Sequence, residues 1–276
     1  MRRGFLLAAA IAVLAVAAIG TTIWRYDHGE SAADSPPAPL PVPPFPPRIA
    51  SGDAYEHCLA TLTDDPDSAR SIADAMVAEG GGDGAARCLG LALIATGHPD
   101  QGAERLELLA SSSLAPDLAR ATVFGQAGQA RLMANDPAHA LADATMALKL
   151  SPDDTELLIQ RAQAEEAQQK WADAIADLTA ALTQDPRRSD ALVLRAADRR
   201  RAGQLDLATQ DADRAISLDP DYAEARLERG IERQRLGDGT GARRDWQRAR
   251  DLDPNSITAD LAEQNLALLD AGPNQR

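Results

Sequence analysis

The groups from which this 276-residue chain could build redox, metal or hydrolytic chemistry are two cysteines, four histidines and 42 carboxylates. His28, His57, His98 and His139 follow no metal-ligand spacing, and no C-x-x-C-H stretch offers a haem site. His57, Cys58 and Cys88 could together supply three ligands, but no metal and no cofactor are expected. The glycine-rich EGGGDG, Glu79–Gly84, lacks the Gly-Lys-Ser/Thr ending of a phosphate loop and reads as a helix–helix turn. No nucleophile, base and acid form a recognisable arrangement, so no catalysis is expected of this chain. One charged pattern does recur. Arg161, Arg195 and Arg229 are spaced by 34 residues, and Asp177, Asp211 and Asp245 repeat with the same step. A guanidinium presents paired donors that match the two oxygens of a carboxylate, so these read as structural ion pairs rather than ligand contacts.

Whatever positions such pairs must repeat with them. Pro152, Pro186, Pro220 and Pro254 share the 34-residue period, each following an apolar helical stretch such as AISLDP. With proline at position 32, four units result: Ala121–Asp154, Thr155–Arg188, Ser189–Tyr222 and Ala223–Ser256. Position 8 is then Gly128, Ala162, Ala196 and Gly230. Position 20 is Ala140, Ala174, Ala208 and Ala242, and position 27 is Ala147, Ala181, Ala215 and Ala249. Small residues at three fixed places allow two antiparallel helices to approach closely. Gly203 and Gly237 fall where a left-handed residue closes the first helix of a pair. Upstream the period loosens, although Gly90, Gly97 and Gly102 keep the spacing of positions 8, 15 and 20. Downstream, Ile257–Asp270 reads as one more amphipathic helix closing the stack.

This pattern resembles the tetratricopeptide repeat family, a 34-residue helix–turn–helix unit. The resemblance implies an all-α fold: a right-handed α-solenoid of antiparallel helix pairs, about six repeats plus a C-terminal capping helix. Degenerate repeats would occupy 51–120, four regular ones 121–256, and the cap and tail 257–276. Two positions depart from the family. Position 11, an aromatic there, is Arg131, Glu165, Arg199 and Arg233 here. Position 4 changes from Phe124, Leu158 and Leu192 to Arg226, which points to looser packing in the last repeat. In the family, the first helices line a concave groove that binds peptides or partner helices. Carried over residue by residue, the resemblance implies a groove of Gln129, Met133, Gln163, Glu166, Val193, Arg200, Arg201, Ile231 and Arg235. Such a groove is acidic and amide-rich in one stretch and arginine-rich further on, suiting an acidic segment of a protein partner. The lysine and asparagine set that clamps a C-terminal carboxylate in chaperone-binding members is missing.

Formal charge is −14, which argues against a nucleic-acid partner. The charge is uneven: 51–186 carries 8 basic and 22 acidic residues, whereas 187–250 carries 15 arginines and 12 acids. Ahead of the repeats, Met-Arg-Arg precedes an uncharged run, Gly4–Trp24, long enough as a helix to span a bilayer core of about 30 Å. Residues 1–25 therefore read as a signal-anchor, with Arg2 and Arg3 held in the cytoplasm. Cleavage after Ala15-Val16-Ala17 is the alternative, leaving a soluble periplasmic protein. Residues 26–50, with SPPAPLPVPPFPP at their centre, read as an extended spacer. An oxidising compartment makes a Cys58–Cys88 disulfide the expected state, with two buried thiols as the alternative. The combined expectation is a non-enzymatic scaffold on the periplasmic side of a bacterial inner membrane. The rival is a recruiting or assembly-factor subunit of an envelope enzyme system, such as one resembling cytochrome c maturation, with catalysis on another chain.

Overall fold

The computed structural model describes residues 48–272. The expected membrane anchor and the proline-rich part of the linker lie outside the described residues. Among the described residues no helix is long and apolar enough to cross a membrane. They form thirteen α-helices and no strand: α1 (Asp53–Asp64), α2 (Pro66–Ala78), α3 (Gly82–Ala95), α4 (Pro99–Ser112), α5 (Asp117–Met133), α6 (Pro137–Leu150), α7 (Thr155–Ala167), α8 (Trp171–Gln184), α9 (Ser189–Arg201), α10 (Leu205–Leu218), α11 (Ala223–Arg235), α12 (Gly239–Leu252) and α13 (Ile257–Ala271). Consecutive helices pack as six hairpin pairs, and α13 lies against both α11 and α12.

The junctions explain the regular spacing. Position 15 is left-handed in all four regular repeats, with φ of 58° at Asn135, 60° at Gln169, 78° at Gly203 and 87° at Gly237. The next residue's N–H reaches back five residues, from Asp136 to Arg131 and from Gln204 to Arg199, both at 2.8 Å. This closing motif satisfies carbonyls that the helix end leaves open. Asp136, Asp154, Asp238 and Ser256 then cap the following helices by accepting from backbone N–H groups. Within each pair the small residues are sealed: Ala174, Ala208 and Ala242 are wholly buried, as are Ala147, Ala181, Ala215 and Ala249. Ala208→Leu is expected to cost about 1–3 kcal/mol by overpacking the α9–α10 contact. Thermal melting followed by circular dichroism checks this, and an unchanged midpoint would contradict the close approach.

One expectation is corrected here. The last repeat is not loosely packed, because Trp246 fills it. Its indole is wholly buried, its Nε1 donates to the Leu227 carbonyl at 3.2 Å, and Gly230 opposite leaves the room it needs. Any Cβ at residue 230 would clash with the indole of Trp246. Arg226 meanwhile leaves the core and donates to the Pro220 carbonyl at 2.7 and 3.1 Å. At the other end the chain enters through Ile49, which is buried within the main core cluster alongside Ala119 and Val123.

Candidate partner-binding groove

Between the two helices of successive repeats runs a ladder of ion pairs. Arg161 Nε lies 2.5 Å from Asp177, Arg195 Nη2 lies 2.7 Å from Asp211, and Arg229 Nη2 lies 2.6 Å from Asp245. Each arginine bonds both carboxylate oxygens through two nitrogens. Position 11 adds a second cation, since Arg199 and Arg233 reach the same Asp211 and Asp245 at 2.6 and 2.8 Å. In these two repeats an arginine therefore stands where the resemblance leads one to expect an aromatic. Asp211 and Asp245 are each held by two guanidiniums.

The first helices of the repeats include α3, α5, α7, α9 and α11, and several of them are tied to a neighbour by polar contacts. Arg87 of α3 donates to Gln126 of α5 at 3.2 Å, Arg201 of α9 meets Glu166 of α7 at 2.6 Å, and Thr258 of α13 donates to Glu224 of α11 at 3.0 Å. The nine groove residues lie on four of these helices. Gln129, Met133, Arg201 and Arg235 are exposed, and Gln163, Glu166, Val193, Arg200 and Ile231 are half-buried.

The arginine-rich stretch is corrected by what stands opposite it. Arg200 is bonded through Nε and Nη2 to Glu228 of α11, with only 12% of its side chain exposed. Arg201 is held by Glu166 and lies 5.1 Å over the Trp171 ring. Neither is free to meet an acidic partner without surrendering a contact that joins two repeats. Of the three, only Arg235 is exposed with no ion pair among the described residues.

A cation that the positional reading omitted lies at the other end. Among the described residues Arg87 bonds only the neutral groups Gln126 and Tyr55 Oη, and it borders a cavity of about 320 Å³ with Ile49, Leu59, Ala119 and Val123 on its walls. Extending the register upstream from Gly90 puts Arg87 at position 5, so the signal was present. Nearby, Cys58 of α1 and Cys88 of α3 are joined as a disulfide, their Cα atoms 6.3 Å apart and both side chains wholly buried. Among the described residues no cluster of three or more histidine, cysteine or acidic side chains could hold a metal. Of the expected turn Glu79–Gly84, Glu79–Gly81 link α2 to α3 and Gly82–Gly84 already open α3, with Gly80 and Gly82 at positive φ.

No protein-family profile matches the chain, and no curated protein does. Solved structures do match. A MamA fragment from Desulfovibrio magneticus RS-1 superimposes with a TM-score of 0.53 at 17% identity, over 75% of this chain and 99% of that one. A thermophilic tetratricopeptide-repeat protein of Thermus thermophilus gives 0.54 at 17% identity, over 68% and 98%. The Cut9–Hcn1 hetero-tetramer of the APC/C gives 0.60 at 14% identity, over 77% of this chain and 42% of that one. The described residues are thus a tetratricopeptide-type right-handed α-solenoid: six helix pairs and a capping helix.

Proposed function

We propose that the chain is a non-enzymatic scaffold that holds a segment of a protein partner along the first helices of its repeats. The observation that carries this reading is the row of first helices, linked laterally yet leaving amide and apolar groups open between the links. Gln129 and Gln163 offer both donor and acceptor to a partner's main chain, and Val193 and Ile231 supply apolar ground beside them. An acidic group of the partner would meet Arg235 at one end or Arg87 at the other. We place this scaffold on the periplasmic side of a bacterial inner membrane, tethered by residues 1–25. The uncharged run Gly4–Trp24 supports that placement, and the buried disulfide suits an oxidising compartment.

Capture of partners from detergent-solubilised membranes tests the groove. The double variant Gln129→Glu, Arg235→Glu should lose the captured partner while its melting temperature stays within a few degrees, because both side chains are exposed. Binding should also weaken as salt rises, since screening acts over about 8 Å near physiological ionic strength. A partner retained at full strength by the double variant would place the site elsewhere, on the exposed Ile257, Leu261 and Leu268 of α13. Labelling of an engineered surface cysteine in intact spheroplasts by an impermeant reagent tests the placement. Protection there would put the repeats in the cytoplasm.

A further inference from the structure

Each of the four regular repeats buries one carboxyl group without a full set of partners. Asp143 of α6 is 3% exposed, and its Oδ2 accepts no hydrogen bond. Arg131 stops 4.0 Å short of it and bonds Glu107 at 3.1 Å instead. Glu165 of α7 leaves Oε2 unbonded, while the nearest arginine, Arg161, is taken by Asp177. Asp198 of α9 and Glu232 of α11 occupy the same repeat position, and both are wholly buried. Asp198 receives one long contact, 3.4 Å from Arg201, whose closer partner is Glu166. Neither oxygen of Glu232 has a partner, and Arg200 across from it is bonded to Glu228.

An ionised carboxylate removed from water and left unpaired is far more costly than its neutral acid. Here the arginines are fewer than the acids that compete for them. We propose that the packed superhelix carries Asp143, Glu165, Asp198 and Glu232 with their protons, one per regular repeat, and that separating the repeats releases those protons. The stack is then tighter in weak acid than in weak alkali.

The groups facing each acid all act in this sense or too weakly to reverse it. Asp143 faces Glu107, Asp136, Arg131 and His139; Glu165 faces Asp177, Asp173, Arg161 and Lys170. Asp198 faces Glu166, Glu228 and Arg201; Glu232 faces Glu228, Asp213 and Arg200, with Thr209 beside it. Burial is the main cause, with neighbouring carboxylates adding to it, and it raises the first three to about 7 and Glu232 to about 8. An unfolded carboxyl ionises near pH ~4. Between that value and the raised ones the folded chain holds protons that the unfolded chain has lost. The stabilisation is therefore full at low pH, declines as pH rises, and is gone above about 8. At α7, α9 and α11 the newly ionised Asp198 and Glu232 would contend with Glu166 and Glu228 for Arg201 and Arg200. The same titration thus loosens one side of the groove.

The test uses the full chain in detergent, without any partner. Its unfolding midpoint should fall by about 5 °C or more between pH ~6 and pH ~9. The variant Asp143→Asn, Glu165→Gln, Asp198→Asn, Glu232→Gln should lose most of that fall. Unfolding the unaltered chain with guanidinium in weakly buffered solution at pH ~7 should also release about two protons per molecule, which needs no variant to fold. A midpoint unchanged across this range, an equal fall in the amide variant, or no proton release would each overturn the proposal.

Discussion

Replacing Asp211 with alanine is expected to destabilise the protein by about 3–5 kcal/mol, with α9 and α10 opening first. Arg195 and Arg199 converge on this one carboxylate at 2.7 and 2.6 Å, and Arg195 is only 9% exposed. Removing the anion strands two largely buried guanidiniums, whose side chains are 11% and 16% exposed. Removing the cations as well should recover most of the loss. Arg195→Met, Arg199→Met, Asp211→Leu, a replacement that keeps the volume apolar, is expected to lie near the parent, because a buried ion cluster contributes little net stability over good packing. A mutant cycle measured by thermal melting separates the two effects. Asp211→Ala within about 0.5 kcal/mol of the parent would show that the ladder is ornamental.

The second large effect belongs to Trp246. Trp246→Ala should cost about 3–5 kcal/mol, the usual range for emptying a buried aromatic site. Trp246 shares a core cluster with Ala242 and Ala249 of its own helix and with Ala262 and Leu266 of the cap, and so helps to attach α13 to the array. Repeats contact only their neighbours, so the damage should stay local. Amide exchange resolved by helix should show α12 and α13 losing protection while α5 to α8 keep theirs. Unchanged protection in α13 would mean that the cap is held by other contacts. Gly230→Ala should act in the same direction through the clash at the indole, without removing any group.

The 34-residue period was legible because close helix crossing permits only small residues, and Gly128, Ala162, Ala196 and Gly230 display that constraint directly. The intra-repeat ion pairs were legible for the same reason: both partners repeat with the period. What escaped was everything that depends on a neighbour's side chain. Arg200 and Arg201 stand at groove positions by register, but Glu228 and Glu166 face them from other repeats at positions of their own. Nothing in the spacing pairs a residue with one 28 or 35 positions away. Trp246 was missed because it replaces alanine or leucine at position 24, and only with Gly230 opposite does its size become structural. The buried acids were hidden by their type. Asp198 and Glu232 lie among arginines in sequence and read as a solvated face, yet the stacking of α9 on α11 closes that face from water.

The bond between Cys58 and Cys88 has a mechanical consequence. It joins α1 directly to α3, so tension applied at the N-terminus passes from one sulfur to the other and never loads α2. Residues 59–87, between the cysteines, are a shielded loop. Stretched in an optical trap from both ends, the oxidised domain should therefore yield about 100 Å less extension than the reduced one, at roughly 3.5 Å per residue. While the bond is intact, residues 59–87 stay out of the line of force however many of the later repeats have opened.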